Sequence, residues 1–148
     1  MARFVVLRHD CPRGPHWDFM LAADGVLRTW ALALEPAGSF TCWAERLPDH
    51  RLAYLDYEGE ISGGRGRVAR YDQGEYQLRK EDAQELVVEL HGARLRGTAA
   101  LLRESDGQRW RFSFAPAGTA ANGLAGAGAP SDSRETVQPA TNNSSSLS

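Results

Sequence analysis

The chain is poor in most of the residues that would assign it quickly to a class. Its 148 residues include two cysteines, Cys11 and Cys42, too few for a disulfide framework. Lys80 is the only lysine, and 17 basic residues against 19 acidic ones leave a formal net charge of -2. Proteins that coat nucleic acid by phosphate neutralisation alone are strongly basic, so bulk coating is excluded. The preference for arginine suits bidentate phosphate contacts, and a genome-wide coding bias would produce the same skew. No apolar run approaches the length of a membrane span, and the start carries no apolar signal segment, so a cytoplasmic, reducing location is expected. The Gly-x-x-x-x-Gly-Lys-Ser/Thr pattern is absent, which excludes a nucleotide-binding P-loop. There is no internal repeat and no heptad, and a monomer is expected.

Bulky apolar residues also become scarce after Ala115. From 116 to 148 the chain is dominated by Ala, Gly, Ser, Thr, Asn and Pro, a composition that cannot bury enough surface to fold, and a disordered tail is expected there. Residues 1–115 remain for one domain with a single modest core.

What is present is mostly strand signal, and one polar stretch within it. Phe4-Val5-Val6-Leu7 reads as a strand, and Pro12, Gly14 and Pro15 then break regular structure. His16-Trp17-Asp18-Phe19-Met20-Leu21 alternates. In an extended chain Trp17, Phe19 and Leu21 face a core, while His16, Asp18 and Met20 share the other side. A turn can fold His9 back toward His16 and Asp18, making an N,N,O donor set for a divalent metal. A His-x-Asp on a strand is also common without any ligand, and the aspartate can merely orient the imidazole.

Asp24-Gly25 marks a hairpin into a returning strand from Val26 to Leu34. Phe40–Ala44 fits a short strand or half a helical turn. A second polar patch runs from Leu47 to Gly59. In it His50 and Tyr54 are four apart and would share a face on a helical turn started by Asp49, where an imidazolium and a phenol can hold a phosphate. The alternative is a structural histidine and a tyrosine at the core edge. Ser62-Gly63-Gly64-Arg65-Gly66-Arg67 is a glycine-rich loop whose two arginines either meet an anionic backbone or face water. Val68–Tyr71 and Glu75–Leu78 read as a hairpin about Asp72-Gln73-Gly74. Glu85–Leu90, Gly97–Leu102 and Arg109–Phe114 complete the strands, and His91 falls in an exposed turn. Strands of this length separated by turns predict an all-β domain, a compact closed or nearly closed antiparallel barrel with short helical turns, with a sandwich as the alternative.

The order and spacing of these pieces resemble the 3'-phosphoesterase domain of bacterial DNA ligase D, a family also found as small stand-alone proteins. The resemblance extends from about Phe4 to Phe114. It is carried by Phe4-Val5-Val6 before His9-Asp10, by His16-Trp17-Asp18-Phe19, by Gly25-Val26-Leu27 with Trp30-Ala31, and by Asp49-His50 with Leu52 and Tyr54. Glu58-Gly59 with Ile61, Asp72-Gln73-Gly74-Glu75-Tyr76, Leu95-Arg96-Gly97 and Trp110-Arg111-Phe112 complete it. The resemblance implies a β-barrel that trims the 3' ends of DNA during end joining. Such a domain uses a divalent metal, manganese above all with zinc or another ion as alternatives, and it removes a 3'-phosphate or 3'-terminal ribonucleotide to leave a 3'-hydroxyl. It assigns the metal to His9, His16 and Asp18 and the scissile phosphate to His50 and Tyr54. DNA 3' ends are the implied partner, with a ligase or polymerase beside them. Asp10 is expected to orient His9 or another ring, and Arg65 and Arg67 to supply phosphate contacts.

The chain also departs from the family. Six residues rather than five separate the two histidines, Met20 stands where the family carries an arginine, and Pro48 stands for a glutamate. Ser62–Gly66 is a shortened Pro-x-Gly-x-Tyr-Gly segment. The first strand signal stands at the start of the sequence, and the N-terminal arm of members embedded in the large ligase is expected to be missing. These departures leave two rivals to an active phosphoesterase: a catalytically weak or inactive module that recognises nucleic-acid 3' ends, and a plain interaction barrel.

Overall fold

The structure is a computed structural model that describes residues 1–118. Of the tail expected from 116 onward, 119–148 lie outside the described residues. Among the described residues nine strands form in chain order: β1 (Ala2–Cys11), β2 (Gly14–Ala23), β3 (Val26–Leu32), β4 (Phe40–Arg51), β5 (Gly59–Glu60), β6 (Arg67–Glu81), β7 (Glu85–Gly92), β8 (Arg96–Arg103) and β9 (Arg109–Pro116). A single 3-10 turn, Leu52–Leu55, follows β4. The strands form one sheet in the order β1-β2-β3-β4-β9-β8-β7-β6-β5, and β6 also pairs with β1. The β1–β2, β1–β6, β2–β3, β3–β4, β4–β9, β5–β6, β6–β7 and β7–β8 pairings are antiparallel, and the β1–β6 ladder brings the sheet round into a near-ring.

Alternation along β1 and β2 places apolar residues on both faces. Phe4, Val6, Trp17, Phe19 and Leu21 join Trp30, Leu32, Leu90, Leu101 and Phe112 in the main core. Val5, Leu7 and Met20 face the other way and pack with Leu27, Leu55 and Val68, with Tyr54 and Ile61 against them. The 3-10 turn after β4 therefore covers the outer face of the first three strands. The β2–β3 connection is a two-residue turn. Asp24 and Gly25 both have positive φ, 55° and 82°, the backbone that an Asp-Gly hairpin turn requires.

Several local expectations change. Phe40–Ala44 belongs to a twelve-residue strand, β4, not to a helical turn. The expected hairpin about Asp72-Gln73-Gly74 does not form, because β6 runs straight through it for 15 residues. Asp72 is buried, and its carboxylate accepts the backbone N–H groups of Ala93, Arg94 and Leu95, 2.7–3.0 Å away. A side chain that could have closed a local turn is engaged instead with the β7–β8 connection. His91 lies within β7, exposed as expected.

Candidate metal centre

The β1–β2 hairpin closes at Cys11 and Gly14, so Pro12 and Arg13 alone form its turn and Pro15 is already in β2. This register sets His9 directly opposite His16, while Asp18 sits opposite Leu7, one alternation further along the same face. Adjacent strands thus bring three donors together by pleat alone. One ligand atom from each of His9, His16 and Asp18 lies within 4.8 Å of the others.

His9 donates Nε2–H to the backbone carbonyl of Arg65 at 2.7 Å, which turns its Nδ1 lone pair toward the cluster. That nitrogen is 3.1 Å from His16 Nε2 and 3.6 Å from Asp18 Oδ2. His16 Nε2 stands 3.0 Å from Asp18 Oδ1, yet that buried oxygen meets no donor in hydrogen-bond alignment. The neighbouring Asp18 carboxylate is the largest cause of a raised His16 pKa, with burial acting against it. On the far side of the ring the Cys11 thiol donates to Gly14 O at 3.1 Å and lies 4.0 Å from His16 Nδ1. Two imidazole nitrogens and a carboxylate facing inward are mutually repulsive unless a proton or cation lies among them. The set fits a borderline-to-hard divalent ion.

The Arg65 carbonyl reaches His9 because the loop after β5 doubles back, with Ile61 N–H bonded to Gly66 O at 2.7 Å. Gly66 has φ +98°, and a Cβ there would stand 1.9 Å from the Asp10 carbonyl oxygen, so this crossing over the end of β1 needs glycine.

The family model for the DNA Ligase D 3'-phosphoesterase domain matches residues 7–103. The chain belongs to this family. It is 40% identical over 116 residues to the multifunctional non-homologous end joining DNA repair protein LigD of Mycobacterium tuberculosis, a match covering 72% of this chain and 15% of that protein. It is 38% identical over 81 residues to the multifunctional non-homologous end joining protein LigD of Pseudomonas aeruginosa, covering 50% of this chain and 9% of that one. The chain therefore corresponds to a small fraction of the length of these relatives.

In this phosphoesterase-family chain the donor set opens into a groove of about 1090 Å³ that is also lined by Met20, Ala31, Trp43, Glu45, His50 and Tyr54. His50 and Tyr54 are neighbours, ring centroids 5.7 Å apart and edge to face, but not through a shared helix. His50 is on β4 and Tyr54 on the 3-10 turn. Nδ1–H of His50 donates to Pro48 O at 2.9 Å, leaving Nε2 for the groove. Asp49 does not cap the turn; it accepts from Arg46 at 3.0 Å.

Two expected contributors, Asp10 and Arg67, lie elsewhere, and a third, Arg65, takes part differently from expectation. Asp10 is not brought to His9, because its carboxylate pairs with Arg8 at 3.1 Å. Arg67 begins β6 opposite Asp10 and is not part of the groove wall. Arg65 lines the groove, but its guanidinium bonds to Ser62 and its carbonyl is what meets the cluster. Met20 is fully buried in the outer apolar cluster. Residues missed in the sequence are Arg13, Trp43, Arg46, Arg103 and Arg109, all on the groove wall. They come from separate turns and strands, and only the strand order reveals that they meet.

No helix among the described residues is long and apolar enough to cross a membrane.

Proposed function

We propose that this chain is a divalent-metal-dependent phosphoesterase that trims DNA 3' ends, removing a 3'-phosphate or a 3'-terminal ribonucleotide to leave a 3'-hydroxyl. The observation that carries this reading is the convergence of His9 Nδ1, His16 Nε2 and the Asp18 carboxylate at a groove that also holds His50 and Tyr54. His9, His16 and Asp18 would hold the ion, manganese by family preference and zinc as the alternative. When bound, the ion supplies Lewis-acid polarisation of a phosphoryl oxygen. His50 Nε2 is the nitrogen left to hold a proton toward the phosphate, either offsetting charge on the phosphoryl oxygens or passing to the leaving oxygen. Tyr54 adds a hydroxyl from the adjoining turn, and Arg65 adds positive charge at the rim. The near-ring of strands is read as a closed barrel acting as a rigid frame for this face. The working partner is a DNA 3' end in the cytoplasm, handed on to a ligase or polymerase.

The second reading is a module that binds 3' ends without turnover. Met20 favours it, because a buried methionine replaces the guanidinium that would sit beside the metal. One experiment separates the two: incubation of a primer-template bearing a 3'-phosphate or a single 3'-ribonucleotide, with and without manganese, with His16→Ala as control. Metal-dependent product lost in the variant supports the enzyme. Manganese binding and 3'-end binding without product support the recognition module and overturn catalysis.

A further inference from the structure

The groove does not end at the phosphate site. Strand register carries it across the sheet in a single row, with Asp18 opposite Ala31, Ala31 opposite Glu45, and Glu45 opposite Arg109. Three inter-strand steps put the Arg109 backbone roughly 14 Å from that of Asp18. The floor between them is low because Ala31 and Ala33 carry only methyl groups, and both line the groove. At the far end the Arg109 and Arg111 guanidinium groups lie over the ring of Trp43, on β4, 4.5 Å and 5.1 Å from its centroid.

Charge collects here against the trend of the whole chain. Arg13, Arg46, Arg65, Arg103 and Arg109 line the groove, where Asp18 and Glu45 are the acidic lining residues and Asp49 pairs with Arg46 from outside it, although the formal net charge is -2. Arg109 pairs with Asp106 at 3.3 Å and Arg111 with Glu104 at 3.5 Å, but the two arginine side chains are about half exposed or more. Ion pairs in water hold a guanidinium weakly, so both can exchange to phosphate.

We infer that the β4–β9 end of the groove is a subsite for the nucleotides behind the processed 3' end, with Trp43 stacking a base and Arg109 and Arg111 holding backbone phosphates. The inference rests on the proposed function for which end enters first. A guanidinium that leaves the Trp43 ring for a phosphate uncovers the aromatic face beneath it, and that face accepts any base, so this subsite reads strand length and not sequence.

The test compares hydrolysis of a mononucleoside 3'-phosphate with that of longer 3'-phosphorylated strands, alongside fluorescence anisotropy of a labelled 3'-hydroxyl strand. The wild type is expected to prefer the longer strands through KM. Trp43→Ala is expected to shrink that preference about tenfold, with Trp43→Phe restoring it. Arg109→Gln, on an exposed side chain, is expected to weaken strand binding and flatten its salt dependence. Equal KM for short and long strands in the wild type, or strand binding indifferent to both Trp43→Ala and Arg109→Gln, overturns the subsite while leaving the phosphoesterase reading intact. If no substrate is hydrolysed, that reading fails, and anisotropy alone decides the subsite.

Discussion

His9 donates through Nε2 to the carbonyl of Arg65, 56 residues away and 2.7 Å distant. This bond sets which imidazole nitrogen faces His16 and Asp18, so a loop with no donor atom of its own in the cluster governs the cluster's orientation. Gly66 is the pivot. Gly66→Ala is expected to destabilise the fold by roughly 1–3 kcal/mol from backbone strain alone. It should also weaken manganese binding by about tenfold to a hundredfold as the carbonyl withdraws. Calorimetric titration of manganese checks this, and unchanged affinity in the variant would show that Arg65 does not orient the ligand.

Asp18 lines the groove and faces the histidines, whereas Asp49 meets the groove wall only through Arg46. His16→Ala and Asp18→Asn are expected to abolish or strongly reduce bound metal and activity together. Asp49→Asn removes only a contact with Arg46 and should leave metal occupancy near wild type. Metal content measured beside turnover tests this division, and equal losses from the two aspartate variants would contradict it.

His50 is expected to act on the phosphate and not on the ion. His50→Ala should lower kcat by about a hundredfold or more while manganese affinity stays close to wild type. Loss of manganese in this variant would place His50 among the ligands.

The raised His16 pKa gives the metal-free protein a pH dependence. Folding favours the protonated ring, so its stabilisation is fully present below the unfolded value of about 6.5 and is lost as pH rises through the higher folded value. Manganese must displace the same proton, so its affinity should increase over that window. Thermal unfolding without metal and titration with metal, each across pH, should therefore trend in opposite directions. Asp18→Asn, by removing the principal cause of the shift, should flatten the thermal trend.

Asp72 satisfies three backbone N–H groups from a buried position. Asp72→Ala leaves those donors without a partner and is expected to cost roughly 3–5 kcal/mol, read as a lower denaturant midpoint. A surface-like loss under about 0.5 kcal/mol would mean that water replaces the carboxylate.

Legibility in the sequence followed the range of the interaction. The first three strands and the shared face of His16 and Asp18 could be read from alternation and from Asp24-Gly25, because pleat and turn are local. The placement of His9 needed only a hairpin. Asp72-Gln73-Gly74 misled because a turn signature was satisfied by a distant segment, and β6 passed through it. His50 and Tyr54 met although the helical spacing invoked for them was not used. The wall formed by Trp43, Arg103 and Arg109 was illegible, since it depends on β4 pairing with β9, whose partners such as Phe40 and Phe114 are about half the chain apart.

The two apolar clusters on opposite faces of β1 and β2 also determine how the site opens. Val5, Leu7 and Met20 are as completely covered outward as Phe4, Val6 and Phe19 are inward. Amide protons exchanged between these strands should therefore be among the slowest in the molecule, released only with global unfolding. The 62–66 loop has no comparable cover. In native-state exchange the loop should open many times for each opening of the hairpin. The dissociation rate of a bound ion would then follow the release of His9 from Arg65, while His16 and Asp18 remain in place to recapture it.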